Sequence, residues 1–143
     1  MTEHQCLWDP NYPECPERFT RVLERFVISY VYSEIEPVYG ELMVYKSSRC
    51  REYGLAQRCV EIQPRKATQD ELLKLHTPDR IELLKGTDGS PDAEALEAIS
   101  SGYDAIYIHP STNELALLAA GSTVEVVDAI LDGKVQNGMA VIR

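Results

Sequence analysis

Apolar positions at Phe19, Val22, Leu23 and Phe26 recur with the period of an amphipathic helix, and Pro16 just ahead of them is a residue favoured at the first helical position. Val60 to Gln63 reads as a short strand. Thr68-Gln69-Asp70-Glu71 is a capping box, in which a threonine hydroxyl and a glutamate carboxylate satisfy orphan backbone donors, and Leu72, Leu73 and Leu75 supply the apolar face of the helix it opens. Thr77-Pro78 starts another helix (Ile81, Leu83, Leu84) that Gly86 ends. Ser90-Pro91 starts a third, running through Ile99 with Gly102 behind it.

The C-terminal third carries the strongest pattern. Residues 103–109, YDAIYIH, read as a strand closed by Pro110. Ser111-Thr112-Asn113-Glu114 is a second capping box, opening a helix that runs to about Leu131 and stops at Gly133. Its apolar residues (Leu115, Leu117, Leu118, Ala119, Val124, Val126, Val127, Ile130) occupy most of its circumference, which predicts burial between a sheet and other helices. Asn137-Gly138 is a turn signal. Met139 to Ile142 is a short unbroken apolar run, the pattern of a strand buried on both faces of a parallel sheet. Strand, helix and strand make a β-helix-β unit, so the class is α/β.

Residues 27–45 match neither flank: they are rich in β-branched and aromatic residues, hold four of the eight tyrosines and contain a Pro-Val-Tyr-Gly turn candidate. Joining Arg25 directly to Cys50 gives RVLERCREYGLAQRCVEIQ, a single amphipathic helix in which Cys50 and Tyr53 continue the spacing from Phe19 and Val22 and Gly54 is the stop. Phe26 satisfies the same position as Cys50, so periodicity does not fix the seam.

Composition changes little. The 143 residues fit one ordinary domain, with 44% hydrophobic and 26% charged residues. A formal net charge of −9 argues against nucleic acid or an anionic membrane surface as the partner, since both would repel it. No stretch approaches a membrane span, and MTEHQCLWD has neither the basic nor the apolar region of a secretion signal. Without a signal, Cys6, Cys15, Cys50 and Cys59 read as reduced thiols. There is no CxxC, and His4 near Cys6 lacks zinc-finger spacing.

Catalytic motifs are sparse. GxSxG, P-loop and GxGxxG patterns are missing, which leaves serine-hydrolase and nucleotide-binding readings without support. Asp104 and His109 are five residues apart, so on a regular strand they project to opposite faces and share no ion. His76 precedes Thr77-Pro78 at a helix end, where capping or packing is the usual role. His4 lies near a terminus expected to fray.

Four segments in order change the picture: Leu7-Trp8-Asp9 with Pro13-Glu14-Cys15-Pro16-Glu17-Arg18; Glu71-Leu72-Leu73 with Leu75-His76-Thr77-Pro78; Tyr103 to Pro110; and Leu118-Ala119-Ala120-Gly121-Ser122 through Asn137 to Arg143. Together they resemble the N-terminal part of a class II zinc-dependent histone deacetylase domain, of the cytoplasmic tubulin-directed type with two catalytic domains. The resemblance spans nearly the whole chain, 1–143, as one incomplete domain; residues 26–49 depart from it and read as an atypical insert. It implies an arginase/deacetylase-like parallel sheet with flanking helices, present here in part and shortened at both ends.

In that family the strand ending in Ile-Arg leads into a Pro-Pro-Gly-His-His segment with paired general acid/base histidines. Asp, His and Asp zinc ligands and an oxyanion-stabilising tyrosine follow, and none of these groups is among the 143 residues. The resemblance thus implies no metal or cofactor in this chain, zinc in the full-length family, and a chain inactive alone. Its implied substrates are acetyl-lysine proteins, histones and tubulin, in the cytoplasm or nucleus.

Only the pocket's periphery carries over. Tyr12 and Pro13 match the first loop at the pocket mouth, with Trp8 nearby. Arg18 matches a buried basic position at an internal cavity, against a surface arginine at a helix start as the plain alternative. Thr112 falls where relatives place a serine that hydrogen-bonds the substrate backbone, against a structural role beside a helix cap. A second functional reading is a non-catalytic interaction module that competes for the partners of a full-length enzyme.

Overall fold

The computed structural model describes residues 3–26, 59–90, 92–140 and 142. Five helices follow in order: α1 (Pro16–Phe26), α2 (Gln69–Leu73), α3 (Pro78–Lys85), α4 (Ala93–Ser100) and α5 (Thr112–Leu131). The insert expected at 26–49, apart from Phe26 at the end of α1, lies outside the described residues, as do Cys50, Tyr53 and Gly54 of the proposed seam.

The sequence signals for helix starts hold at Pro16, which opens α1, at Thr68 and at Pro78. Thr68 Oγ1 accepts from the Glu71 N–H at 3.3 Å and Glu71 Oε2 accepts from the Thr68 N–H at 2.7 Å, which closes the capping box of α2. Pro78 opens α3 as expected. α4 starts later than Ser90-Pro91 suggests, because Asp92 is its cap: Oδ1 accepts from the N–H groups of Glu94 and Ala95. At the other end of the chain, α5 closes with the Lys134 N–H on the Ala129 carbonyl (2.9 Å) and the Gly133 N–H on that of Ile130 (3.0 Å). Gly133 has φ +71°, the left-handed conformation this helix stop requires.

The second capping box does not form. Ser111 makes no side-chain cap bond; its hydroxyl goes to His109 Nδ1 at 2.8 Å, and Glu114 is drawn away to Lys66 Nζ at 2.8 Å.

Among the described residues there is no strand, so the expected sheet strands at 60–63, 103–109 and 139–142 are not seen paired. Part of the reason is local. Ala105 has φ +50°, which interrupts an extended run, and the backbone donors beyond it are taken by side chains: the Ile108 N–H by Ser100 Oγ at 3.0 Å and the His109 N–H by Thr112 Oγ1 at 2.8 Å. Tyr107 and Ile108 are nevertheless buried, while Ile106 is exposed.

Helix α5 organises the C-terminal part. It packs against α3, and the 65–67 segment crosses it where the Ala67 N–H donates to the Leu117 carbonyl at 2.8 Å. A Cβ on Gly121 would lie 2.3 Å from the Arg65 carbonyl oxygen and 2.4 Å from Ala67 N, so the crossing requires a glycine. Arg65 then bonds Glu71 at two points (2.9 and 2.7 Å) and Glu125 of α5 through Nε at 2.8 Å. The guanidinium and the Thr68 N–H hold the Glu71 carboxyl at about 2, below the usual carboxylate range, and the two glutamates push the Arg65 guanidinium upward.

The turn after α3 is tied to the start of α5 by Asn113 Nδ2 on Asp88 Oδ2 (2.7 Å) and the Gly89 N–H on the Pro110 carbonyl (3.1 Å). α5 is less enclosed than its apolar circumference suggests. Ala119, Gly121 and Ala129 are buried, but Val127 and Leu131 face solvent, with Leu131 78% exposed.

Candidate functional site

Residues 3–15 form an irregular loop whose turn at 9–12 is set by Asp9: its carboxylate accepts from the Asn11 N–H at 2.9 Å and its carbonyl from the Tyr12 N–H at 3.2 Å. That turn aims Tyr12 at Tyr107. The two rings meet edge to face, with centroids 5.0 Å apart.

Tyr107 is 7% exposed and its hydroxyl donates to the His4 carbonyl at 2.9 Å. The same hydroxyl is 3.0 Å from His4 Nδ1, and His4 Nε2 is 2.8 Å from Thr112 Oγ1. Thr112 Oγ1 also accepts from the His109 N–H, and the His109 ring stands 5.3 Å from that of His4. Six side chains from two distant stretches (His4 and Tyr12; Tyr107, His109, Ser111 and Thr112) thus converge where the loop meets the N-terminus of α5.

His109 is the titratable member with a clear bias. Burial disfavours its charged form and lowers its pKa, with Glu3 opposing. The Ser111 N–H and hydroxyl both point at Nδ1, an arrangement suited to a neutral ring with its proton on Nε2.

The structure brings Thr112 and Tyr12 to one cluster through Tyr107 and His4. Trp8 is half-buried and Pro13 exposed, both on the same loop. Arg18 lies apart: it pairs with Glu14 four residues earlier on the surface, its side chain 65% exposed rather than lining an interior. His4 was not legible as a site residue, since its partners are 103 and 108 positions away and no local pattern announces them. The terminus expected to fray is pinned there.

Among the described residues no three His, Cys, Asp or Glu side chains stand together in a way that could hold a metal ion. Cys6 is buried and Cys15 half-buried, and both are free thiols. No helix of the described residues is long and apolar enough to cross a membrane.

The histone deacetylase domain family matches residues 12–143. The human protein called polyamine deacetylase HDAC10 is 38% identical over 147 aligned positions covering all of this chain, and its zebrafish (Danio rerio) counterpart is 34% identical over 143. Histone deacetylase 5 of Arabidopsis thaliana is 26% identical, again across the whole chain. The chain spans 18% of the length of each of these three relatives.

Proposed function

The chain belongs to the histone deacetylase family, and from that premise we propose that it forms the front wall of a domain that hydrolyses an acetyl amide on a primary amine. Water adds to the acetamide carbon, the C–N bond breaks, and acetate and the free amine leave. The amine is a lysine ε-amine of a protein such as a histone or tubulin, or that of a polyamine; the names of the relatives, which speak of histone and of polyamine deacetylases, support the reading at that level. A location in the cytoplasm or nucleus, where such substrates are found, belongs to the same proposal.

The observation that carries this reading is similarity to a deacetylase along the entire chain at 38% identity. The site geometry is compatible with it: Tyr12 and Thr112, both assigned by resemblance to the pocket periphery, share one cluster, Tyr12 through its ring contact with Tyr107 and Thr112 through its hydrogen bond with His4. In this role the chain's residues bind and orient substrate. The groups that move protons and hold zinc in the family are not among these 143 residues, so the chain alone is expected to release no acetate.

A chimera tests the proposal. Residues 1–143 replace the matching segment of the human relative, with and without 26–49, and acetate release is measured on an acetyl-lysine peptide and a monoacetylated polyamine. Activity in a folded chimera, with none from the 143 residues alone in the presence of zinc, is the expected result. A chimera that melts cooperatively yet is inactive in both forms overturns the proposal, as does zinc-dependent turnover by the 143 residues alone.

A further inference from the structure

Thr77-Pro78-Asp79-Arg80 lies in an unbroken exposed stretch, residues 73–80, that runs from the end of α2 into the first turn of α3. A residue before proline is held extended, and Thr77 is, with φ −72° and ψ 151°. Its hydroxyl makes no cap bond. The other described threonines differ: Thr20, Thr87 and Thr123 donate to backbone carbonyls, Thr68 is closed into its capping box, and Thr112 is bonded to His4 and the His109 N–H. Three positions beyond Thr77, the Arg80 guanidinium lies over the Tyr103 ring, 4.6 Å from its centroid.

A hydroxyl followed at once by proline, with a cation two positions further on, is the acceptor pattern of proline-directed protein kinases. An apolar pocket takes the residue that has no N–H to satisfy, and an anionic group of the kinase takes the cation. To present Arg80, the N–H groups of Arg80 and Ile81 leave the Thr77 carbonyl, now 3.1 and 3.3 Å away. That is one turn of fraying at a helix end, and it stops at Ile81, which is buried and anchors α3.

We propose that Thr77 is a phosphorylation site for a proline-directed protein kinase that reads Arg80, and that the phosphate draws the Arg80 guanidinium away from the Tyr103 ring. Thr77 Oγ1 attacks the γ-phosphorus of a nucleoside triphosphate held by the kinase, and the new O–P bond forms as the bond from that phosphorus to the β–γ bridging oxygen breaks. The nucleoside diphosphate leaves with the electron pair, and the hydroxyl proton passes to a carboxylate base of the kinase. The phosphothreonine carries a charge of about −1.5 to −2 and stands one helical turn from Arg80, within reach of a charge-assisted pair. Attraction to an exposed ring is the weaker of the two contacts. Tyr103 opens the segment that carries Tyr107 and His109, so the switched charge acts on that segment. Neither half depends on the chain being part of a deacetylase.

The test incubates the purified 143-residue chain with ATP and a cyclin-dependent kinase and maps the product by mass spectrometry. The same preparation is given to a kinase that reads basic residues ahead of the acceptor, for which Arg65-Lys66-Ala67-Thr68 is the matching sequence. Thr68 is thereby a control within the fold, since its hydroxyl and Arg65 are both engaged with Glu71. Thr77 is expected to react within about threefold of the rate of a peptide of residues 72–83, and Thr68 at least roughly tenfold more slowly than in its own peptide. Arg80→Ala should lower kcat/KM at Thr77 several-fold and Arg80→Lys retain it, with the same ranking in the peptide, which has no fold to lose. Thr77 slowed as much as Thr68, Thr68 as fast as its peptide, or Arg80→Ala turned over like the parent each overturns the kinase assignment.

The second half is read by NMR from the Tyr103 ring resonances. On phosphorylation they are expected to move toward their positions in Arg80→Ala, and in Arg80→Ala driven to full phosphorylation they stay in place. Resonances that do not move in the parent overturn the transfer of Arg80, as does an equal response in Arg80→Ala.

Discussion

Gly121 sits directly under the Arg65 carbonyl, so close that a β-carbon there would come within 2.3 Å of the oxygen. The atoms in the way belong to the backbone of residues 65–67 and have no rotamer by which to retreat. Gly121→Ala is expected to destabilise the fold by about 2 kcal/mol, since overpacking of this kind costs ~1–3 kcal/mol or more and outweighs the gain of ~1 kcal/mol from alanine's helix propensity. Urea denaturation followed by circular dichroism measures it; a variant as stable as the parent would mean that the 65–67 crossing does not persist in solution.

Gly138 makes a comparable approach to a side chain, 2.5 Å from a β-carbon position to Val126 Cγ1. Here the obstacle can be removed. Gly138→Ala is expected to lower stability, and adding Val126→Ala to recover part of the loss, so that the double mutant is more stable than the sum of the two single changes. Strict additivity in a thermal-melt cycle would show that the tail does not lie on α5.

Glu71 gives a pH signature. Its carboxyl is held at about 2 in the fold, by the Arg65 guanidinium first and the Thr68 N–H second, against an ordinary value of 4.5. The unfolded chain therefore takes up this proton first as pH falls. The stabilisation is complete above about 4.5 and declines toward pH 2. Urea midpoints measured from pH 7 to 3 should fall less steeply for Glu71→Gln than for the parent, and parallel curves would contradict the pairing.

His109 acts in a different window. Its pKa is below the ordinary 6.5 because burial opposes the charged ring, so the unfolded state binds the proton more readily. Its contribution is complete above about 6.5 and is lost as pH falls from there toward the folded value. An NMR titration of the ring should give a midpoint below 6.5; a midpoint at or above it would place His109 in water.

Thr112 separates shape from hydrogen bonding. Thr112→Val keeps the branched outline but strips an acceptor from the half-buried His109 N–H and a partner from His4, and is expected to cost about 1–3 kcal/mol. Thr112→Ser should cost far less. Chemical denaturation of the two variants side by side checks this, with equal losses counting against the hydroxyl's role.

What could be read in advance followed from how local each signal is. The capping box at Thr68 and Glu71, the proline start of α3 and the glycine stop at Gly133 are decided by residues within a few positions of one another, and all three formed. Ser111-Glu114 has the same local pattern but failed, because His109 and Lys66 compete for its two side chains and only the second competitor is distant in sequence. The 103–109 segment has the composition of a strand, yet Ser100 and Thr112 take two of its backbone donors. Tyr12 and Thr112 were accessible through resemblance. His4 and Gly121 were not, since one is defined by partners more than a hundred residues away and the other by a crossing segment.

The long reach of His4 also has a consequence in time. During synthesis it leaves the ribosome 103 residues ahead of Tyr107 and 108 ahead of Thr112, an interval of roughly 5–20 s at ordinary elongation rates of about 5–20 residues per second. Throughout that interval the leading loop has neither of its fastenings, and it can be locked down only after the start of α5 has emerged. The loop around His4 is thus made more than a hundred residues before the groups that secure it.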